Sequence, residues 1–382
     1  MTLSVLLAGG GTTGHVAPLL SLADCLRRRD PGTRVTALGT AEGLEARLVP
    51  EAGYRLALVP RVPLPRRPGA DLGRLPGRLR AAVAAASAAI TDNDVDVVVG
   101  FGGYVATPAY LAARRLGVPV VVHEANSRPG LANRLGARFT EHVAVAFPGT
   151  PLRGAVVLGV PLRRSITTLD RPALRRQARE FFGLHPDATT LLVTGGSLGA
   201  QRLNVTLGAA AGDLAAAGIQ VLHSAGRGKS VDVAASDRST APYVVVEYLD
   251  RMDLAFAAAD AVVCRAGAGT VAEITALGLP AAYVPLPIGN GEQRFNAQPV
   301  VDAGGGLLVD DVDCTPAWVR DVLVPLLRDH DRLAATGAAA TAFGIRDADE
   351  RLADMVEKAV VSAAPAPATA ARHRAGPAGA TP

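Results

Sequence analysis

The sequence predicts an α/β fold, two Rossmann-like halves whose parallel sheets face a central cleft. Short, continuous aliphatic runs alternate with Ala/Leu/Arg-rich stretches, the pattern of strands covered on both faces by helices. Glycine-rich turns fall into two sets, one in each half of the chain. A length of 382 residues, 49% of them hydrophobic, is sufficient for more than one packed core.

Taken in order, the first half reads as strand Ser4–Leu7, turn Gly9–His15 and helix Ala17–Arg29, then strand Arg34–Leu38 and helix Glu42–Val49. Strand Val95–Val99, turn Gly100–Tyr104 and helix Val105–Leu116 follow, then strands Val118–Val122 and Val143–Val145. The halves join near Gly159–Arg164. The second half carries strands Thr190–Val193, Gln220–His223, Val244–Val246, Ala261–Val263 and Ala281–Val284, with turns Gly195–Ala200 and Ala266–Thr270. In open α/β sheets ligands sit at the carboxyl ends of strands, so these turns should face the cleft. The expected units are 1–161 and 162–342, then a segment 343–361 and a tail 362–382. The tail is Pro/Ala-rich, cannot build a core and is expected to be disordered.

Composition removes several classes. Aromatic residues are 4%, too few for a single-strand stacking platform. Net charge is +4, and nearly all the basic residues are Arg, with only Lys229 and Lys358 as exceptions; no nucleic-acid partner is expected. Cys25, Cys264 and Cys314 are too sparse for a disulfide framework or structural zinc site. The uncharged runs Val97–Ala113 and Ile274–Gly291 are broken by Gly and Pro, and no basic leader opens the chain, so neither a membrane span nor a signal peptide is expected.

Three segments carry candidate chemistry. Gly9-Gly-Gly-Thr12-Thr13-Gly14-His15 resembles a dinucleotide turn, but the second strand ends Ala37-Leu-Gly-Thr40, without the acid that would hold a ribose. His15 is either a structural histidine or a general base, and a helix N-terminus favours the neutral ring that a base needs. Thr270-Val-Ala-Glu273 fits a capping box; alternatively, the turn's amides hold a diphosphate while Glu273 accepts from ribose hydroxyls. Gly291-Glu292-Gln293 suits sugar hydroxyls or is a polar loop. Asp92-Asn-Asp94-Val-Asp96 reads as a strand entry rather than a metal motif, and Gly226-Arg-Gly-Lys229 lacks the first glycine of a phosphate loop. No metal or cofactor is expected.

With these residues assembled, the chain resembles the MurG family from about Leu3 to Val361. The resemblance rests on GGGTTGHVAP, GLEARLVPEAGY, DVVVGFGGYVATPAYLAARRLGVPVVVHEAN, GVPLRR, TGGSLGAQRLN, HSAGRG, EYLDRM, CRAGAGTVAEITALGLP and PLPIGNGEQRFNAQ, in that order. It implies the GT-B fold, with the last helix returning to the first domain. It implies an inverting transfer of N-acetylglucosamine from UDP-N-acetylglucosamine to lipid I, an undecaprenyl-linked muramyl-pentapeptide, forming lipid II. It also implies peripheral attachment to the cytoplasmic face of the cell membrane.

Carried over by motif, Thr12, Thr13, Gly14, Asn126 and Gln293 contact the donor sugar or its phosphates. Arg163 reaches the nucleotide, Ser197 the phosphate, and Leu249 holds the uracil through its backbone. Ala268, Gly269, Thr270, Val271, Ala272 and Glu273 form the diphosphate–ribose turn, and His15 or Glu124 is the base. The sequence departs from the commoner family pattern at Thr13, Leu198, Ala125 and Glu292. A paralogue with an antibiotic as acceptor, a UDP-sugar epimerase and a non-catalytic UDP-sugar-binding module are the alternatives. The stretch Leu64–Arg80 intersperses arginines with leucines; it is either an anionic-membrane face or a solvated basic loop.

Overall fold

The computed structural model describes residues 2–62, 70–196, 199–233, 241–288 and 291–363, with the backbone alone for 70–74. Two all-parallel sheets organise the chain. The first runs β3-β2-β1-β4-β5-β6-β7. Its strands are β1 (Ser4–Gly9), β2 (Arg34–Gly39), β3 (Arg55–Leu58), β4 (Val97–Gly102), β5 (Val120–Glu124), β6 (Val143–Val145) and β7 (Val156–Val157). The second runs β10-β9-β8-β11-β12-β13. It comprises β8 (Thr189–Thr194), β9 (Ile219–Ser224), β10 (Tyr243–Val246), β11 (Ala261–Cys264), β12 (Ala281–Tyr283) and β13 (Gly306–Leu308).

Strands β1 and β4 are buried along their whole length, which is why they read as unbroken aliphatic runs. The strands missing from the sequence reading are β3, β7 and β13. They lie at or beside sheet edges, are short, and are only partly buried or exposed, so no continuous apolar run marks them.

Strand order reverses between β1 and β4 in the first sheet, and between β8 and β11 in the second. Neighbouring connections leave to opposite sides there and open a crevice. The glycine turns after β1, β4 and β11 lie at these two points.

Helix starts shift from expectation: the helix after β2 begins at Glu45 rather than Glu42, and the one after β4 at Gly103 rather than Val105. The first helix spans Thr13–Arg29 and not Ala17–Arg29, so Thr13, Gly14 and His15 form its first turn. Thr12 precedes it in extended conformation, and its side chain makes no cap bond. The helix after β11 spans Ala268–Ala276, with Gly267 as its extended N-cap residue. Thr270 is therefore inside the helix, and the capping-box reading of Thr270 and Glu273 is wrong. Gly267 holds the N-cap position without a side chain, so no side-chain oxygen caps this helix.

The helix Ala348–Ala363 packs on Thr13–Arg29 and buries Leu352, Ala353, Val356 and Ala359 in the core of the first sheet. Arg29 donates to Glu350 and Asp354 at 2.7 Å and to Glu357 at 3.2 Å. Burial alone would raise the Glu350 carboxyl, but Arg28 and Arg29 hold it down to about 2. The three cysteines are free and buried. Asp96 is a strand-entry residue: its carboxylate accepts from the Ser4 amide at 2.7 Å. No helix among the described residues is long and apolar enough to cross a membrane. Residues 63–69 of the basic stretch and 364–382 of the tail lie outside the described residues.

Candidate active site

A cavity of about 310 Å³ lies at the reversal point of the first sheet. That is near the lower end of ligand pockets, roughly 300–1,000 Å³. His15 enters from the turn after β1, Gly102 and Gly103 from the end of β4, and Glu124, Asn126, Arg128 and Gly130 from the end of β5 and its loop. Glu292 reaches it from the second half. Gly102 and Gly103 take φ +96° and +75°, and a Cβ on either would press on the imidazole of His15. Glycine is needed there because the turn must pass directly against that ring.

His15 is held by its own turn. Its Nδ1 lies 3.0 Å from the Gly10 carbonyl and 3.2 Å from Thr12 Oγ1. A carbonyl only accepts, so Nδ1 carries the proton and donates. In the neutral ring Nε2 is then the basic atom, and the ring lines the cavity.

Glu124 is buried and already engaged. Its Oε1 accepts from the Asn126 amide at 2.9 Å, and its Oε2 from the Gly130 amide at 2.9 Å and Asn133 Nδ2 at 3.0 Å. These bonds shape the loop from Asn126 to Gly130, and they commit most of the carboxylate's acceptor capacity.

Asn126 faces the second half. Its Oδ1 accepts from Asn296 Nδ2 at 3.2 Å. Asn296, fully buried on the helix Glu292–Asp302, also accepts from the Ser127 amide at 2.9 Å and donates to the Ala266 carbonyl at 3.3 Å. Arg128 stacks on Phe295, with its guanidinium carbon 3.8 Å from the ring centroid. Sequence reasoning missed Asn296, Arg128 and Phe295. No local pattern marked Asn296, because the helix that buries it read as a polar loop.

The second half supplies a different set. Thr270 and the two residues before it present first-turn amides at the N-terminus of Ala268–Ala276, where the helix dipole favours an anion. Val271 and Ala272 continue this helix, with Val271 buried. Glu273 accepts from Arg163 Nη2 at 3.1 Å, a contact between chain segments that the sequence placed together only through resemblance. Burial raises the Glu273 carboxyl above its ordinary range, and Arg163 pulls it back. Gln293 Oε1 accepts from the amides of Ala266 and Leu286, at 3.2 and 3.0 Å, and so ties together the loops after β11 and β12. Leu249 has its side chain in the second core, so only its backbone could serve a base. Ser197 lies outside the described residues.

Thus His15, Glu124 and Asn126 share one cavity with Thr12–Gly14 beside it, whereas Arg163 and Glu273 pair at the second-half helix turn. Two family models match this chain: the glycosyltransferase family 28 N-terminal domain over residues 5–145 and its C-terminal domain over 190–352. A relative from Nocardioides sp. is 62% identical over 92% of this chain and 97% of its own length. It is a UDP-N-acetylglucosamine--N-acetylmuramyl-(pentapeptide) pyrophosphoryl-undecaprenol N-acetylglucosamine transferase. The chain belongs to the MurG family. A relative of the same description from Mycolicibacterium smegmatis is 60% identical over 92% of this chain and 93% of its own. Among solved structures, Acinetobacter baumannii MurG superposes with a TM-score of 0.74 at 28% identity, covering 93% of this chain and 99% of that one. The calicheamicin glycosyltransferase CalG4 shares the fold, with a TM-score of 0.66 at 21% identity over 96% and 100% of the two chains. The architecture of this MurG-family chain is GT-B, two parallel-sheet domains.

Proposed function

We propose that this chain transfers N-acetylglucosamine from UDP-N-acetylglucosamine to the 4-hydroxyl of the muramyl sugar of lipid I, forming lipid II for peptidoglycan. The observation that carries the reading is the shared cavity. It sets His15 of the first half, its Nδ1 on the Gly10 carbonyl, against Glu292 of the second, the first residue of the helix that carries Asn296. The near-full-length identity to relatives of that description supports the substrates.

In this reading UDP lies at the turn of Ala268–Ala276. The free amides of Ala268, Gly269 and Thr270 meet the diphosphate, with Ser197 beside it, and Glu273 accepts from the ribose hydroxyls. The Leu249 backbone holds the uracil. Arg163, held by Glu273 at 3.1 Å, brings its positive charge to the developing negative charge on the diphosphate. Gln293, Asn126 and the Thr12–Gly14 turn receive the sugar.

His15 Nε2 takes the proton of the muramyl 4-hydroxyl as that oxygen attacks C1. UDP departs from the opposite face, which inverts the centre and gives a β-linkage. Glu124 is a positioning residue here, since its oxygens are committed to the loop that carries Asn126. Helix amides and arginine neutralise the leaving group, so the reaction is expected to run without a metal. The acceptor is membrane-anchored, so the chain docks reversibly on an anionic surface at the cytoplasmic face, with the basic stretch 64–80 as the contact.

The test is radiolabelled transfer to a lipid I analogue by wild type and His15→Ala. Losing a general base costs about 10²–10⁴ in rate. UDP affinity should stay within about twofold, because the amides that hold it lie on the other half. Wild-type turnover by His15→Ala removes it from the mechanism, and transfer to soluble acceptors only would reassign the substrate.

A further inference from the structure

We propose that Glu45 is a positioning residue for the base, acting on His15 through the peptide group between Gly10 and Gly11. This rests on the reading of His15 as the base. The carbonyl of Gly10 and the N–H of Gly11 belong to one peptide unit. The carbonyl accepts from His15 Nδ1 at 3.0 Å, and the N–H donates to Glu45 Oε2 at 2.9 Å. Carboxylate, peptide and imidazole therefore form a continuous chain. Hydrogen bonds in series polarise one another, so a carboxylate on the N–H makes the carbonyl a stronger acceptor for Nδ1–H.

The surroundings of Glu45 are built for this use. It is fully buried at the start of the helix Glu45–Glu51. Its Oε1 accepts from the Thr40 amide and the Thr40 hydroxyl, both at 3.0 Å. The Thr40 hydroxyl spends its proton on Glu45, so it accepts in turn from the Tyr104 hydroxyl at 3.2 Å. Among the described residues, each hydrogen-bond partner of the carboxylate is a donor. Gly10, Gly39 and Gly43 come from three segments, and a Cβ on any of them would run into the Glu45 side chain. Gly39 and Gly43, neither at positive φ, are thus accounted for by the space the Glu45 side chain occupies, its methylene stem at Gly39 and its carboxylate at Gly43.

The consequence is twofold. The Gly11 amide, which in a dinucleotide turn would be available to a phosphate, is taken by an internal anion. And the proton on Nδ1 is held in place, which leaves Nε2 to receive the proton of the attacking hydroxyl. When Nε2 is protonated, the ring's positive charge is met by the polarised Gly10 carbonyl.

The test pairs kinetics with imidazole ¹⁵N NMR on the full chain, His15 being assigned by the loss of its signals in His15→Ala. Glu45→Gln keeps the shape and removes the charge. Its kcat should fall about 10- to 100-fold, less than loss of the base itself, with KM for UDP-N-acetylglucosamine within about twofold. Its His15 should keep the Nδ1–H tautomer on the Gly10 carbonyl less strongly, with a larger share of Nε2–H than in wild type. In a His15→Ala background the same change should cost nothing further. Gly43→Ala, which displaces the carboxylate from outside the turn, should give the same kinetic signature, and it carries the test if Glu45→Gln does not fold. Wild-type kcat or an unchanged tautomer ratio in the variant, or an equal loss without His15, overturns the relay. Wild-type turnover by His15→Ala instead overturns the base, and the NMR result still decides the relay.

Discussion

Acidification should destabilise both halves of the molecule through one buried histidine in each. His123 on β5 is fully buried; its Nε2 donates to the Gly159 carbonyl at 2.9 Å, and its Nδ1 has no partner among the described residues. Burial lowers its pKa to about 4 against the pull of that carbonyl. His223 on β9 is equally enclosed. Asn204 gives its Nδ2 to the Ala225 carbonyl, so its Oδ1 accepts from His223 Nε2 at 3.1 Å. His223 Nδ1 then accepts from the Tyr243 hydroxyl at 2.7 Å. Burial lowers this ring to about 4 as well. Histidine in the unfolded chain titrates near 6.5. Between about 6.5 and 4 the unfolded chain binds more protons than the folded one, so stability rises with pH and is lost as pH falls. A depression of this size is worth about 3 kcal/mol per histidine, at up to roughly 1.4 kcal/mol per pH unit. Against a typical total of about 5–15 kcal/mol, two such losses matter. Urea denaturation followed by circular dichroism at pH 7.5, 6, 5 and 4 measures the slope. His223→Gln, which keeps one donor and one acceptor, should remove about half of it. A midpoint that stays flat from pH 6.5 to 4 would refute the argument, as would a slope unaffected by His223→Gln. Glu350, held down by Arg28 and Arg29, acts in a lower window: its contribution is present above about 4.5 and lost as pH falls toward 2.

Two further outcomes follow, one from the helix turn of the second half and one from its contact with the first. Glu273→Gln should melt at or above the wild-type temperature near pH 7, because burial raises this carboxyl and ionising it costs folding energy that the amide avoids. Its donor KM should rise about 10- to 100-fold, the worth of roughly 1.5–3 kcal/mol in hydrogen bonds to a charged group; a melting loss with unchanged KM would restore a purely structural role. Asn296→Ala should leave the Ser127 amide and Asn126 Oδ1 without their partner, at about 1–3 kcal/mol each. The measurable result is a lower kcat/KM for both substrates together with reduced stability in urea, and kcat/KM within twofold of wild type would show that the bridge does not set the cleft.

Much of this protein was legible in its residues. Strands buried on both faces must be aliphatic throughout, so β1, β4, β8 and β11 stood out without any structure. The turns carrying His15 and Glu273 were visible by their glycines, which close backbone approach requires at the first of them. Ordered motifs then named the family. What remained hidden was what the sheets bring together from distant segments. Glu45 is 34 residues from the Gly11 amide it holds, Asn296 is 170 from Asn126, and Arg163 is 110 from Glu273. Local pattern even misled at Thr270 and Glu273, where the residues of a capping box sit inside a helix begun by Gly267. The periodic burial that reveals strands and helices is a property of neighbours along the chain. A hydrogen bond between loops at a crevice depends on strand order and on the packing of two sheets, and only the folded chain decides those.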